Sequence, residues 1–185
     1  MSEKTIDTPG ARDTVATEKR GCLDSHLMYG RTYSLWTTVV RLTNTYGPRQ
    51  NRFDFVGLFM RLAVAGQSLT VFGDGSQVRD FNHVDDVCRA MLLAAAHDES
   101  RGQVFNLGAR ETRSVRQFAD QLAAVAGVEV ETVPYPPGRK EIEIGSFYAD
   151  FSRFRRTIGW EPAVPLEEGI RATFEHFRAA GSETL

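Results

Sequence analysis

Apolar positions along the chain switch between helical spacing and short continuous runs, and the switches predict an alternation of helices and strands. Between residues 15 and 34, Leu23, Leu27 and Met28 recur with Tyr29 adjoining, a helical stripe. Residues 36–42 (WTTVVRL) form a β-branched run without polar alternation, as in a strand buried on both faces. Residues 44–52 are polar and hold Gly47-Pro48, a loop signal. Helical spacing returns over 55–65 and stops at Gly66. A four-residue strand at 69–72 closes on the turn Gly73-Asp74-Gly75-Ser76. Residues 78–84 read as extended, and Asp85 or Asp86 is then expected to cap a helix reaching about Ala96. A strand at 104–107 precedes Ser114, a good N-cap for a helix through Ala126. A last strand at 128–133 leads into the stiff loop YPPGR (135–139), then helices near 152–158 and 166–177. Trp160, Pro162 and Leu166 are expected to pack the final helix onto the core.

Strands alternating with helices indicate an α/β fold. Residues 1–14 carry no period and read as a loose tail. With 42% hydrophobic and 25% charged residues the composition is globular, not disordered. A net charge of −2, without a basic stripe interleaved with aromatics, argues against nucleic acid and anionic membrane as partners. Cys22 and Cys88 stand far apart, which makes a disulfide framework or zinc site an unexpected reading and a reducing compartment the default. His26, His83, His97 and His176 are scattered, with no metal-ligand spacing. No apolar run nears the roughly 20 residues that span a bilayer, and the polar N-terminus has no signal-peptide core. The expectation is a soluble, cytoplasmic protein.

Four segments carry a family resemblance: RLTNTYGPRQ (41–50), LTVFGDGSQVRDFNHVDD (69–86), VFNLG (104–108) and IGWEPAVPLEEGIR (158–171). In this order and spacing they resemble the extended short-chain dehydrogenase/reductase family, in particular its NAD-dependent nucleotide-sugar epimerases and dehydratases. UDP-glucose 4-epimerase-like enzymes match first, with dTDP-glucose 4,6-dehydratase-like ones next. The resemblance implies a partial doubly wound, Rossmann-like fold lacking its N-terminal cofactor half, with the smaller substrate-binding α/β subdomain. Residues 15–50 would be the remaining helix and strand of the NAD domain, and 51–185 the sugar-nucleotide-binding part. The implied cofactor is NAD, and the implied partner is a nucleotide-diphosphate sugar.

Such a ligand presents two phosphates, a flat base and a hydroxyl-rich sugar. Arginine suits the diphosphate because its planar fork donates paired, charge-assisted hydrogen bonds. By resemblance, Arg79 (QVRDF) and Arg139 (PPGRKE) hold the diphosphate, and Asn44 contacts the phosphates or sugar. Thr70 and Phe72 mark the strand whose backbone reads the base. Plainer readings stand beside these: either arginine can be a solvated surface residue, Lys140 adjoins Arg139, and Asn44 can cap a turn. The GDGS turn is no phosphate loop, since no Lys-Ser/Thr follows it.

The sequence contains no GxxGxxG, the turn that sets a cofactor's pyrophosphate on a helix N-terminus. The family's catalytic Tyr-x-x-x-Lys pair maps its lysine to Lys19 and its tyrosine to Val15, which cannot exchange a proton. Tyr29 lies ten residues beyond Lys19, or about 15 Å along a helix, too far to substitute. Lys19 thus reads either as an orphaned catalytic residue or as a surface lysine. Three functions follow: one chain of a split enzyme, a non-catalytic nucleotide-sugar-binding module, or an inactive remnant. A further expectation is an exposed apolar strand edge at Val39, Val40 and Leu42, through which the chain pairs with itself or a partner chain.

Overall fold

The computed structural model describes residues 14–50, 54–138, 140 and 143–180, with side chains from Asp24 onward. Residues 1–13 of the expected tail, Arg139 and the side chains of Val15 and Lys19 lie outside the described residues, and Thr14, expected in the tail, begins the first helix. A long helix, α1 (Thr14–Tyr33), leads to β1 (Val39–Arg41), β2 (Asn44–Tyr46) and α2 (Phe55–Val64). There follow β3 (Leu69–Phe72), β4 (Val78–His83), α3 (Val84–Ala96), β5 (Val104–Asn106) and β6 (Thr112–Ser114). The order closes with α4 (Val115–Ala126), β7 (Val130–Val133), α5 (Ser152–Ile158) and α6 (Leu166–Ala180).

The strands form three small sheets. β1 runs parallel to β5 with Val40 opposite Phe105. β2 runs parallel to β4 with Asn44 opposite Phe81, and β6 lies antiparallel on the other side of β4. β3 and β7 pair in parallel with Thr70 opposite Glu131. Parallel pairs joined through helices make this an α/β structure, as the sequence predicts.

Several helix ends are set by local side-chain chemistry. Asp54 caps α2 by accepting from the Gly57 N–H. Ser114 and Gln117 form a reciprocal capping box on α4, and Gly127 ends that helix in the left-handed region. The start of α3 is a correction. Neither Asp85 nor Asp86 caps it; the His83 imidazole does, accepting from the Asp85 N–H at 3.3 Å. Asp86 is buried and serves a distant loop instead, accepting from the Ala163 and Val164 N–H groups at 3.0 and 2.9 Å and from Arg89 at 2.8 Å.

The 36–42 run is also shorter as a strand than expected. Pairing depends on β5, so only Val39–Arg41 form β1. Ahead of it, Thr38 donates its hydroxyl to the Ser100 carbonyl at 2.9 Å, and Trp36 lies under the Arg101 guanidinium at 4.0 Å. Among the described residues no strand pairs the other edge of β1. Val39 and Val40 are half-buried there and Leu42 is exposed.

Two apolar clusters hold the chain together. The larger joins α2, α4 and α6 to β3 and β4 through Phe59, Met60, Phe81, Phe118, Leu122 and Ile170. Phe81 and Phe118 stack at 4.4 Å between centroids, and Tyr46 meets both edge-on. Gly169 lets α6 close on this cluster, because a Cβ there would stand 2.1 Å from the Tyr46 hydroxyl. The smaller cluster packs Phe105, Leu107, Phe154, Ile158 and Trp160 between α3, β5 and α5. Trp160 and Pro162 are buried, and Trp160 donates its indole N–H to the Asp86 carbonyl at 3.1 Å. Leu166 packs against the larger cluster.

Candidate functional site

β4 is the centre of the site because its side chains alternate between two environments. Phe81 faces the aromatic cluster, whereas Asp80 and Asn82 point the other way, toward the ends of β1 and β5. Asn82 donates its amide to the Thr43 hydroxyl at 3.1 Å, and Thr43 lies just beyond β1. Gly108, just beyond β5, passes so close that a Cβ would sit 3.1 Å from the Asp80 carboxylate. The carboxyl ends of a parallel pair are where open α/β sheets receive ligands.

Asn44 begins β2 instead of following a long strand, and it sits opposite Phe81. Its amide donates to the Asp80 carbonyl at 3.4 Å. Asn44 and the Arg79-Asp80 pair are therefore neighbours on adjacent parallel strands. Arg79 is 9% exposed and held on several sides. It donates to Glu143 at 2.7 Å, to the Val78 carbonyl at 2.9 Å and to the Gly145 carbonyl.

The segment holding Arg79 lies alongside β4 as a strap. Phe147 donates its N–H to the Val78 carbonyl at 2.9 Å, and the Ser146 hydroxyl accepts from the Val78 N–H at 3.0 Å. Ala149 donates its N–H to the Asp80 carboxylate at 3.0 Å. Burial lifts the Asp80 carboxyl above its ordinary range, opposed by the Ala149 hydrogen bond. The other Asp80 oxygen and the Asn82 amide oxygen are buried without a protein partner. Buried acceptors of this kind are commonly satisfied by ordered water or a ligand donor.

Thr70 and Phe72 share the half-buried face of β3, opposite Leu69 and Val71, which are buried. Phe72 lies 6.2 Å from Tyr135 between ring centroids. Gly73 has φ +67°, and a Cβ there would meet the Tyr135 ring at 2.4 Å, so only glycine admits this packing. Thus Asn44 reaches the Asp80 backbone on β4 and Arg79 is held by the strap, while Thr70 and Phe72 form a second group on β3. The α1 backbone contains the Lys19 position, and Tyr29 further along it is exposed against Tyr33. Sequence reasoning misses Glu143, Asp80 and Tyr135. Only the acid next to the QVRDF arginine carries a local signal, since Glu143 comes from a loop 64 residues away. Among the described residues no group of three or more His, Cys, Asp or Glu side chains could hold a metal ion. No helix there is long and apolar enough to cross a membrane.

The family model for GDP-mannose 4,6 dehydratase matches residues 16–173. The chain is 35% identical over 154 residues to a UDP-glucose 4-epimerase of Mycolicibacterium smegmatis, covering 82% of this chain and 48% of that protein. A dTDP-glucose 4,6-dehydratase of Actinoplanes is 29% identical, with 89% and 51% covered. Among solved structures, UDP-glucose 4-epimerase from Thermotoga maritima with UDP-glucose superposes with a TM-score of 0.80 at 34% identity. That match covers 89% of this chain and 53% of the epimerase. The chain spans about half the length of the curated relatives it matches. The four motifs, the parallel strand pairs and the matched span together make this chain a member of the GDP-mannose 4,6-dehydratase family of nucleotide-sugar epimerases and dehydratases.

Proposed function

We propose that this chain supplies the sugar-nucleotide pocket of an NAD-dependent epimerase or dehydratase and has no turnover of its own. The observation that carries the reading is the Asn44 amide on the Asp80 carbonyl of β4, where the Asp80 carboxylate lies beside the carboxyl ends of β1 and β5. Arg79 would grip the diphosphate through its planar fork, with Arg139 as the second arm. The Asn44 amide would donate to a phosphate or sugar oxygen. The backbone of β3 at Thr70 and Phe72 would read the base. The UDP-glucose named with the Thermotoga structure supports a nucleotide sugar as ligand class.

NAD supplies hydride transfer in the whole enzymes, and a dTDP-glucose 4,6-dehydratase structure from Bacillus anthracis is described in complex with NAD. The sequence carries no GxxGxxG turn to seat that group's pyrophosphate on a helix N-terminus. This supports a cofactor site formed outside the described residues, from a partner chain or another segment. The open edge of β1 offers such a partner a pairing surface.

The valine at the tyrosine position, Val15, favours a second reading: a binding module that senses or sequesters a nucleotide sugar without converting it. Titration calorimetry with UDP-, dTDP-, CDP- and GDP-glucose, then with NAD, tests both. One nucleotide sugar is expected to bind without NAD, and Arg79→Ala to weaken it at least tenfold. A folded chain that gives no heat with any of the four sugars would sink both readings.

A further inference from the structure

β4 is buried from Arg79 to His83, yet its sequence is not that of a buried strand. A strand covered on both faces ordinarily carries an apolar run. Here Phe81 is the one apolar side chain in the stretch. On the face turned away from the aromatic cluster, Asp80 and Asn82 are each 1% exposed. Thr45 on β2 stands in register with Asn82 and so shares its face. Three oxygens of this layer, Asp80 Oδ1, Asn82 Oδ1 and Thr45 Oγ1, are buried without a protein partner. Each such group costs stability, so packing alone would favour an apolar residue in place of Asn82.

What Asn82 does is hold Thr43. Its amide donates to the Thr43 hydroxyl at 3.1 Å, and that hydroxyl donates in turn to the Leu107 carbonyl at 3.4 Å. The Leu107 N–H donates to the Arg41 carbonyl at 2.9 Å, so Thr43 is tied to the ends of both β1 and β5. The Thr43 carbonyl accepts from the Thr45 N–H at 2.8 Å, closing a three-residue turn with Asn44 at its centre. Successive side chains of a strand point to opposite faces. Asn44, in register with Phe81, therefore looks out on the face opposite the Thr45 and Asn82 layer. Its amide bond to the Asp80 carbonyl, at 3.4 Å, is longer than an ordinary N–H···O bond and fixes the side chain weakly. The direction in which Asn44 points is set from behind, through the Thr43 turn.

Resting on the reading of Asn44 as a ligand contact, we propose that Asn82 and Thr43 are positioning residues for the nucleotide sugar. Asn82 braces the Thr43 turn, and the turn aims the Asn44 amide at a phosphate or sugar oxygen before the ligand arrives. The buried, half-satisfied Asn82 side chain lowers stability and in return preorganises the site. Without the brace the turn samples other conformations. The apparent affinity then falls with the fraction of molecules in which Asn44 is correctly aimed.

The test sets melting temperature against affinity in the full chain. Circular dichroism melts and titration calorimetry with UDP-, dTDP-, CDP- and GDP-glucose are applied to Thr43→Val, Thr43→Ser and the double variant Thr43→Val/Asn82→Leu, none of which alters net charge. The double variant removes both partners of the hydrogen bond and strands neither, so it is expected to melt at or above the wild-type temperature. Its affinity for whichever of the four sugars the wild type binds is expected to fall roughly five- to tenfold, a combination that a merely structural pair would not give. Thr43→Ser keeps the hydroxyl and is expected to bind as the wild type does. Wild-type affinity in the double variant, or a melting temperature that falls along with the affinity, would make the pair a support of the fold. Either result overturns the inference and leaves the pocket reading intact. Binding by Thr43→Ser as weak as by Thr43→Val would show that the hydroxyl aims nothing, and would overturn it too. No binding of any of the four sugars by the folded wild type would overturn the inference and the pocket reading together.

Discussion

The two apolar clusters differ in how far they are closed. Around Phe81 and Phe118, helices α2, α4 and α6 converge on β3 and β4, and the large residues at the centre are inaccessible to solvent. Around β1 and β5, burial is one-sided. Phe105, Phe154 and Trp160 are enclosed, yet Leu42 is 47% exposed and Trp36 44%. Along α1, Met28, Tyr29 and Tyr33 face solvent. Apolar surface gathered in one part of a molecule marks a contact site more often than chance. The first region has the packing of a finished domain. The second leaves Trp36 and Leu42 in solvent, as the proposed split of pocket and cofactor would require.

The comparison breaks if the closed region tolerates a cavity. Phe118 is fully buried, stacks on Phe81 and meets Tyr46 and Phe55 edge-on. Phe118→Ala is expected to cost about 3–5 kcal/mol, read as a lower urea midpoint at unchanged slope. A loss within about 0.5 kcal/mol, the range of ordinary surface changes, would mean that this cluster does not organise the fold. Next in size is Asp86→Ala. Its carboxylate is the acceptor for two backbone N–H groups in the loop before α6, and for Arg89. Leaving those donors unpaired is expected to cost about 2–4 kcal/mol. Because that loop joins α5 in the smaller cluster to α6 in the larger, the loss should appear first as faster hydrogen exchange in α6.

These two residues also show what the sequence could and could not express. Phe118 lies on the helical stripe after Ser114, and the capping box there forms as local chemistry dictates. Asp86 reads equally well as a cap, because a cap and a distant acceptor demand the same residue type at the same place. Only the return of the chain 77 residues later decides between them. The site divides in the same way. Arg79 and Asn44 are legible because they lie within motifs, and motifs are local. Glu143 is silent, since nothing in its own neighbourhood announces an arginine partner. Thr70 and Phe72 show an alternation of buried and half-buried positions that reads directly from strand periodicity. The shortening of the 36–42 run to Val39–Arg41 is a pairing effect, set by the length of β5, and composition does not encode it.

Asp80, at the seam between the two regions, sharpens the comparison through pH. Burial raises its carboxyl pKa in the folded state. An acid whose folded pKa is raised gives stability that is fully present below its unfolded value, about 3.9, and lost as pH rises through the folded value. Asp80→Asn keeps an oxygen to accept from the Ala149 N–H and removes the titration. The variant is therefore expected to lose less stability than the wild type between about pH 4 and neutrality, seen as a flatter melting-temperature profile. Parallel profiles would place the penalty elsewhere.

The smallest effect on stability should come from the open edge, and its smallness is the point. Leu42 follows β1, is exposed, and lies outside both apolar clusters. Leu42→Ser is expected to shift the urea midpoint by no more than about 0.5 kcal/mol, because the folded chain buries little of that side chain. If the edge is a pairing surface, the same substitution should lower self-association in sedimentation velocity at concentrations where the wild type associates. It should do so without altering affinity for a nucleotide sugar, since Leu42 makes none of the contacts of Asn44 or Arg79. A large destabilisation would show that the region around β1 is closed after all. A monomeric wild type with a cooperative melt would remove the need for a self-pairing surface, and the exposed residues of α1 and β1 would then have to be explained by a different partner.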